Sequence, residues 1–424
     1  MYKKIVKILS CFIINKQKRH EFRYKYENFY SKKKERKTIR KYGNYYLIDD
    51  FYKYRIKPKS VLILEFNDFH GITLPGYVNY FKKLGYNIDL FLRPGQNVKW
   101  MPLVRLQDDW TAFIGQEEEL ATALRNEKIN EYDFVFLNTT FYYGFYSPYP
   151  NAKSVLSIIE KMPKGKYGTI MIEHNYEPFV KRFREYKYIC NGNLFTLLGF
   201  RNTKMLSSSY VGKVNITDKN EDIVKFLVAG TIHAGNKNFN MLISACEKLI
   251  KEGKDNFEIG IIGAGKLKNI PKCVRKHIKK FGTLSYKKMY EKIEDSDFIF
   301  TLFDPDIKEH KKYIDNWASG TSILVYAFAK PCLIHKEFAP SYFLTDKNSI
   351  VYEDSLYQAM KEALKMPSEI YKEKQKSLQE LQFLLQKQSL ENLKEQIDKT
   401  CIPPFFQFVL LFLPQVLYVL FLYL

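Results

Sequence analysis

The chain has 424 residues, more than one ordinary hydrophobic core accommodates, so two domains are expected. Hydrophobic residues make up 46% and charged residues 27%, a globular balance. The net charge of +21 calls for an anionic partner or surface, and the body carries no zinc-knuckle spacing, RNP-like aromatic motif or basic recognition helix, which sets nucleic acid aside in favour of the anionic face of a membrane.

The first residues, MYKKIVKILSCFIINKQKR, place Ile5, Ile8, Leu9, Phe12 and Ile13 at helical spacing among Lys3, Lys4, Lys7, Lys16, Lys18 and Arg19. The apolar centre is too short for a signal peptide and lacks a small-residue cleavage site. An interfacial amphipathic helix with a polybasic arm over residues 1–57 fits this pattern, with a solvated basic tail as the alternative. A regular rhythm follows. SVLILEFND (Ser60 to Asp68) is an apolar strand, and LPGYVNYFKKLGYNIDLFLRP is a helix closed by Gly85 and then a strand. Further strands are expected at Asp133 to Thr140, Gly168 to Asn175 and Leu194 to Gly199. Such strands, with little alternation and helical stretches between, read as a parallel sheet covered on both faces, here over residues 58–215.

After VNITDKNEDI the rhythm restarts over residues 216–400. VKFLVAGTI runs into a turn at Gly230, NFNMLISACEKLIKEG is an amphipathic helix, FEIGIIGAGK is a strand, and SYKKMYEKIEDSDFIFTLFD is a helix and a strand. In ASGTSILVYAFAKPCLIH, Lys330-Pro331 divides two apolar runs, which predicts a short buried helix followed at once by a strand. Gly320, Thr321 and Ser322 can cap that helix and expose its first N–H groups, an arrangement suited to an anion. A polar helical tail follows from about Ser355 to Lys399. The last stretch, residues 401–424, is uncharged but broken by Pro403, Pro404 and Pro414: a tail anchor, a hairpin in one leaflet, or an end produced by a frameshift. Cys11, Cys190, Cys246, Cys273, Cys332 and Cys401 lack paired spacing, which points to a reducing compartment and unligated thiols.

The order FLVAGTIHAGNKNFNMLISACEKL, IGIIGAGK, KKFGTLSYKKMYEKIEDSDFIFTLF, GTSILVYAFAKPCLI resembles the donor-binding domain of GT-B glycosyltransferases, most of all the bacterial family 4 type of surface-polysaccharide assembly. The likeness covers about Lys225 to Asn392 well and the first half more loosely. It implies an α/β fold of two Rossmann-like, doubly wound parallel-sheet domains facing across a cleft. It also implies a retaining, metal-independent glycosyltransferase that needs no cofactor beyond its nucleotide-sugar donor. The acceptor would be a lipid-linked, lipopolysaccharide or capsule glycan at the cytoplasmic face of the inner membrane, the enzyme being peripheral or C-terminally anchored.

Breaking a sugar–diphosphate bond develops negative charge on the leaving phosphate, which fixed N–H dipoles or a cation must meet. The helix start at Gly320, Thr321 and Ser322 supplies dipoles. Gly230 lets its turn approach the phosphates, with Thr231 where the family often has Arg, and Lys237 stands where the family places a phosphate-binding lysine; an exposed lysine at a helix start is the alternative. Gly263 and Gly265 form a glycine turn, or only a tight loop. FGTLSY (Phe281 to Tyr286) stands where the family's backbone meets the base, or is only a strand end. The family's paired Glu, aligned on Lys330-Pro331, fall at Asn316 and Leu324, neither of them acidic. His310, Lys311, Lys312 and Tyr313 could replace the missing positive charge, or form a solvated loop. In the first half, His70 with Gly71 in EFNDFHGIT, and His174 with Glu173 at the end of TIMIEH, reach the carboxyl edge of the sheet and are the candidate catalytic residues. No metal ligands are expected, in keeping with the metal-independent transfer that the resemblance implies. The missing acids leave a catalytically inactive, glycan- or partner-binding module as the alternative.

Overall fold

A computed structural model describes residues 9–13, 15, 17–19, 22, 43–66, 70–93, 102–107, 109–139, 165–174 and 194–401. The first domain is an eight-stranded sheet of β1 (Tyr45–Leu47), β2 (Ser60–Glu65), β3 (Asn87–Leu92), β4 (Trp110–Ile114), β5 (Phe134–Leu137), β6 (Gly168–Glu173), β7 (Leu194–Thr196) and β8 (Lys204–Met205), in the order β1-β4-β3-β2-β5-β6-β7-β8. All neighbouring strands are parallel. Its central strand β2 is apolar without alternation because both faces are covered: Val61 and Ile63 join one core cluster, Leu62 and Leu64 the other. One face is covered by α1 (Leu74–Lys83), whose Tyr77, Val78, Tyr80 and Phe81 are buried, and the chain turns through Gly85 at φ 79° into β3.

The amphipathic arm assigned to residues 1–57 ends earlier than its charge suggests. Tyr45–Leu47 pairs with β4, and Ile48, Phe51 and Ile56 are buried, so these residues belong to the first domain. An apolar edge strand covered by its own short helix outweighs the basic composition around it. Of the arm proper, the described Leu9 and Phe12 are exposed, and most of the rest lies outside the described residues.

The second domain holds β9 (Val224–Ala229), β10 (Phe257–Ile262), β11 (Ile278–Gly282), β12 (Phe298–Phe300), β13 (Cys332–His335) and β14 (Ile350–Tyr352), all parallel, in the order β11-β10-β9-β12-β13-β14. That is the doubly wound order, and the central six strands of the first sheet repeat it. In such a sheet the winding reverses at one point, between β9 and β12 here and between β2 and β5 in the first domain, opening a crevice at the carboxyl ends. Helices α2 (Phe239–Lys251), α3 (Tyr286–Glu294) and α4 (Gly320–Phe328) pack on the second sheet, with Asn238 accepting from Met241 N (3.1 Å) at the start of α2.

The short buried helix and following strand expected around Lys330-Pro331 are α4 and β13. The cap lies one residue before the expected Gly320: Ser319 Oγ accepts from Thr321 N at 3.3 Å. The helix ends at Ala329 in the left-handed region (φ 47°), and the buried Lys330 donates to Thr217 Oγ1 (2.7 Å) and Glu294 O (3.0 Å).

The polar tail is one 34-residue helix, α5 (Ser368–Cys401), which crosses between the domains. Near its start Tyr371 donates to Asp297 O (2.7 Å) and Gln375 to Thr217 O (3.0 Å) in the second domain and the segment leading into it. Further along, Ser389 Oγ accepts from Ser207 N (2.8 Å) and Asn392 donates to Met205 O (2.9 Å). The domains also meet where Arg105 grips Glu294 with both guanidinium arms, 2.6 and 2.9 Å. No helix among the described residues is long and apolar enough to cross a membrane, and residues 402–424, with the anchor or hairpin expected there, lie outside them.

Candidate functional site

Each domain concentrates polar side chains at the reversal of its sheet. In the second domain β9 ends at Ala229, just before Gly230, β12 runs into Thr301, and α4 starts alongside. Lys237 reaches into this corner. Its ammonium donates to Thr301 O and Thr321 Oγ1, both at 3.2 Å, and Thr321 Oγ1 in turn donates to Ala229 O at 3.4 Å. Only 4% of Lys237 is exposed, so it is not the exposed helix-start lysine of the alternative reading. Burial without a carboxylate partner pushes its pKa down to about 8. An ammonium has three donors and two are used, which leaves one N–H for a ligand.

The glycines explain how the chain comes so close. A Cβ on Gly263 would stand 1.9 Å from Gly230 O, and one on Gly265 2.7 Å from Ile232 O. The two loops are instead bonded, Ile232 N to Ala264 O at 2.8 Å and Gly263 N to Gly282 O at 2.9 Å. Gly230 (φ 120°) and Thr231 lie exposed at the rim, so their backbone is available from outside. Gly320 is the first residue of α4, exposed, with no neighbour within 4 Å of an added Cβ. Ser322 is placed differently from expectation: its hydroxyl donates to Ser319 O at 2.7 Å and serves the cap.

The tract from His310 to Tyr313 is not a solvated loop. His310 is buried, accepts from Asp304 N on Nδ1 (3.0 Å) and donates from Nε2 to Ala234 O (3.0 Å), which fixes a neutral tautomer whose pKa burial lowers. Lys312 donates to Gly235 O (3.2 Å) and Asn236 Oδ1 (3.3 Å) and lies 4.3 Å over the Trp317 ring. These groups hold the turn that leads into Lys237. At the positions of the family's acids, Leu324 is buried and Asn316 donates to its neighbour Asp315 at 2.6 Å.

A proline suits the first position of a helix, so Gly320→Pro should fold and still remove one open N–H. Nucleotide binding measured by calorimetry is expected to be lost while the melting temperature stays near that of the parent chain; unchanged affinity would take α4 out of the donor site.

In the first domain the loop after β2 carries His70, and its ring stacks on His174, which follows β6, at 3.9 Å between centroids and 23° between planes. His174 is buried and donates from Nε2 to Asn138 O at 2.7 Å. Desolvation lowers its pKa to about 4. Burial, and then the charge His174 would carry, hold His70 well below the usual histidine value. His70 Nδ1 lies 2.9 Å from Thr139 Oγ1, and that hydroxyl donates to Glu65 Oε2 at 2.8 Å. Asn138 also donates to Glu65 and, at 3.3 Å, to His70 O, while Thr73 Oγ1, with one hydrogen to give, lies 2.7 Å from both His70 O and Asn138 Oδ1. Sequence reasoning singled out the two histidines but missed Glu65, Asn138 and Thr139. The available signal was a carboxylate closing an otherwise apolar strand at the reversal point. From the other domain, Tyr286 lies against the Ile72 backbone in the field of Glu65, and burial, followed by that charge, raises its pKa. The two polar corners thus belong to domains in contact beside them.

Both stacked histidines are neutral when folded, whereas the unfolded chain takes up protons near pH 6.5. Stability should therefore fall as pH drops below 6.5 toward about 4, by about 3 kcal/mol for His174 alone. Melting temperatures between pH 7.5 and 4.5 should show this decline, and a His174→Phe chain should lose less on acidification.

No family model matches the chain, and no curated protein matches it in sequence. A solved glycosyltransferase from Rickettsia africae is similar with a TM-score of 0.50 at 13% identity, over 81% of this chain and 99% of that one. An alpha-glucosyltransferase in complex with UDP and a 13-mer DNA is similar with the same TM-score and identity, over 82% of this chain and 100% of that one. At such identity the likeness is one of fold: the chain has the two-domain, parallel-sheet architecture of the GT-B glycosyltransferases.

Proposed function

We propose that the chain transfers a sugar from a nucleotide-diphosphate donor to a lipid-linked, lipopolysaccharide or capsule glycan at the cytoplasmic face of a bacterial inner membrane. The observation that carries this reading is the buried Lys237 ammonium, which meets the start of α4 at the reversal of a Rossmann sheet. That corner offers one cation and the open Gly230 and Gly320 backbone to a diphosphate leaving group, so the transfer needs no metal. The acceptor enters from the first domain, beside His70 and His174. The net charge of +21 and the basic first residues support a membrane surface as the place of work.

Retention of anomeric configuration follows from the family 4 resemblance. One observation favours inversion as a second reading: His70 hydrogen-bonds through Nδ1, which leaves Nε2 for an incoming hydroxyl. The inactive-module alternative rests on Asn316 and Leu324 at the positions of the expected acids.

A melting-shift panel of UDP-, GDP-, ADP- and CMP-sugars identifies the donor. Transfer from that donor to a membrane-lipid extract and to duplex DNA follows, with the product anomer read by proton NMR. A melting shift and a glycosylated lipid are expected. Binding with neither hydrolysis nor transfer would leave the module, and transfer to DNA alone would move the acceptor off the membrane.

A further inference from the structure

The polar cluster around His70 has an internal proton order. Thr139 has a single hydroxyl hydrogen, and the Glu65 carboxylate, which also accepts from Asn138, takes it at 2.8 Å. The same Thr139 oxygen lies 2.9 Å from His70 Nδ1, and with its hydrogen committed it can only accept there. With Glu65 ionised, His70 then carries its proton on Nδ1, so that Nε2 holds a lone pair. The stack on His174 fixes the plane of the ring, and His70, unlike the buried His174, is partly exposed.

We propose that Glu65 and Thr139 are positioning residues that hold His70 as its Nδ1–H tautomer, so that Nε2 receives the proton of the acceptor hydroxyl. The inference rests on the second, inverting reading, in which His70 is the acceptor-side catalytic residue. In the step it serves, the hydroxyl proton passes to Nε2 and the hydroxyl oxygen bonds to the anomeric carbon. The bond from that carbon to the diphosphate oxygen breaks, and the nucleoside diphosphate leaves with the electron pair toward Lys237. A carboxylate–hydroxyl–imidazole chain of this kind orients the base without placing the carboxylate charge directly against the ring. Glu65 closes an apolar strand at full burial, a costly place for a carboxylate that packing alone does not require.

The test reads the tautomer and the reaction separately. In the full chain labelled with 15N-histidine, long-range proton–nitrogen spectra distinguish protonated from bare ring nitrogens, and His70→Gln assigns the His70 signals among the seven histidines. Wild-type His70 is expected with Nδ1 protonated and Nε2 bare. Thr139→Val keeps the volume and removes the acceptor, so the Nε2–H form should appear and kcat for sugar transfer to the lipid extract should fall roughly ten- to a hundredfold with KM little changed. Thr139→Ser should restore both. A wild-type His70 protonated on Nε2, or a Thr139→Val chain with an unchanged tautomer, overturns the relay whatever the activity. The expected tautomers together with a His70→Gln chain that transfers sugar as fast as wild type would overturn the catalytic use of His70 and leave the donor site untouched.

Discussion

Lys237→Ala is expected to reduce turnover on the order of ten- to a thousandfold while weakening nucleotide binding much less. The leaving diphosphate gains charge as the glycosyl bond breaks, so a cation held against it acts more strongly in the transition state than in the bound donor. The ammonium is fixed by Thr301 O and Thr321 Oγ1 before any ligand arrives, and it needs no reorganisation. Lys237→Met is the control for packing, because it fills the same buried channel without charge. If it falls as far as the alanine variant while melting like wild type, the loss is electrostatic. The alkaline limb adds a second readout. With its pKa pushed down to about 8, the free site loses its charge as pH rises through that value, and a bound diphosphate shifts the limb upward. Equal loss of binding and turnover in both variants would reduce Lys237 to a docking residue.

Gly263→Ala should be the most damaging small substitution in the second domain. The added carbon would meet backbone, Gly230 O at 1.9 Å and Gly230 C at 2.6 Å, and φ at Gly263 is 148°. Neither atom can move aside without unzipping the bonds between the loops after β9 and β10. The cost is on the order of 3 kcal/mol, which lowers the melting temperature by about 6–12 °C. Gly253→Ala is the matched control: it also has positive φ (70°) but nothing within 4 Å, so about 1 kcal/mol is expected. Similar melting of the two variants would show that the loops are not tightly apposed. Because the Gly230 turn forms the rim of the donor corner, Gly263→Ala should also impair nucleotide binding in whatever fraction folds.

The parallel strands were readable because burial on both faces writes continuous apolar runs, as in β2, β9 and β13. The edge strand β11 was not, since Lys279 and Lys280 are exposed and break any such run. The basic arm misled over residues 45–57 because local charge hid a short edge strand with buried partners. In the donor corner, glycine spacing and the helix start pointed to the loops that meet there. The meeting of Lys237 with Thr301 depends on which strands lie side by side, a property of the winding order rather than of spacing. The acceptor corner was less legible still. His70 and His174 follow different strands and stack only because β2, β5 and β6 are neighbours, and Glu65 reaches His70 through a threonine from a third segment.

The path of α5 bears on mechanics. The chain passes between the domains once through the segment that follows β8 and again along this helix, so two separate strands of covalent chain span the junction. A body joined at one point can swivel about any axis; joined at two, it keeps one easy axis, the line through both joints. Any opening to admit a donor then becomes rotation about that line, resisted by bending of the helix and by the Arg105–Glu294 pair. Cutting the helix between residues 375 and 382 would release two rotational freedoms without removing any group from either polar corner.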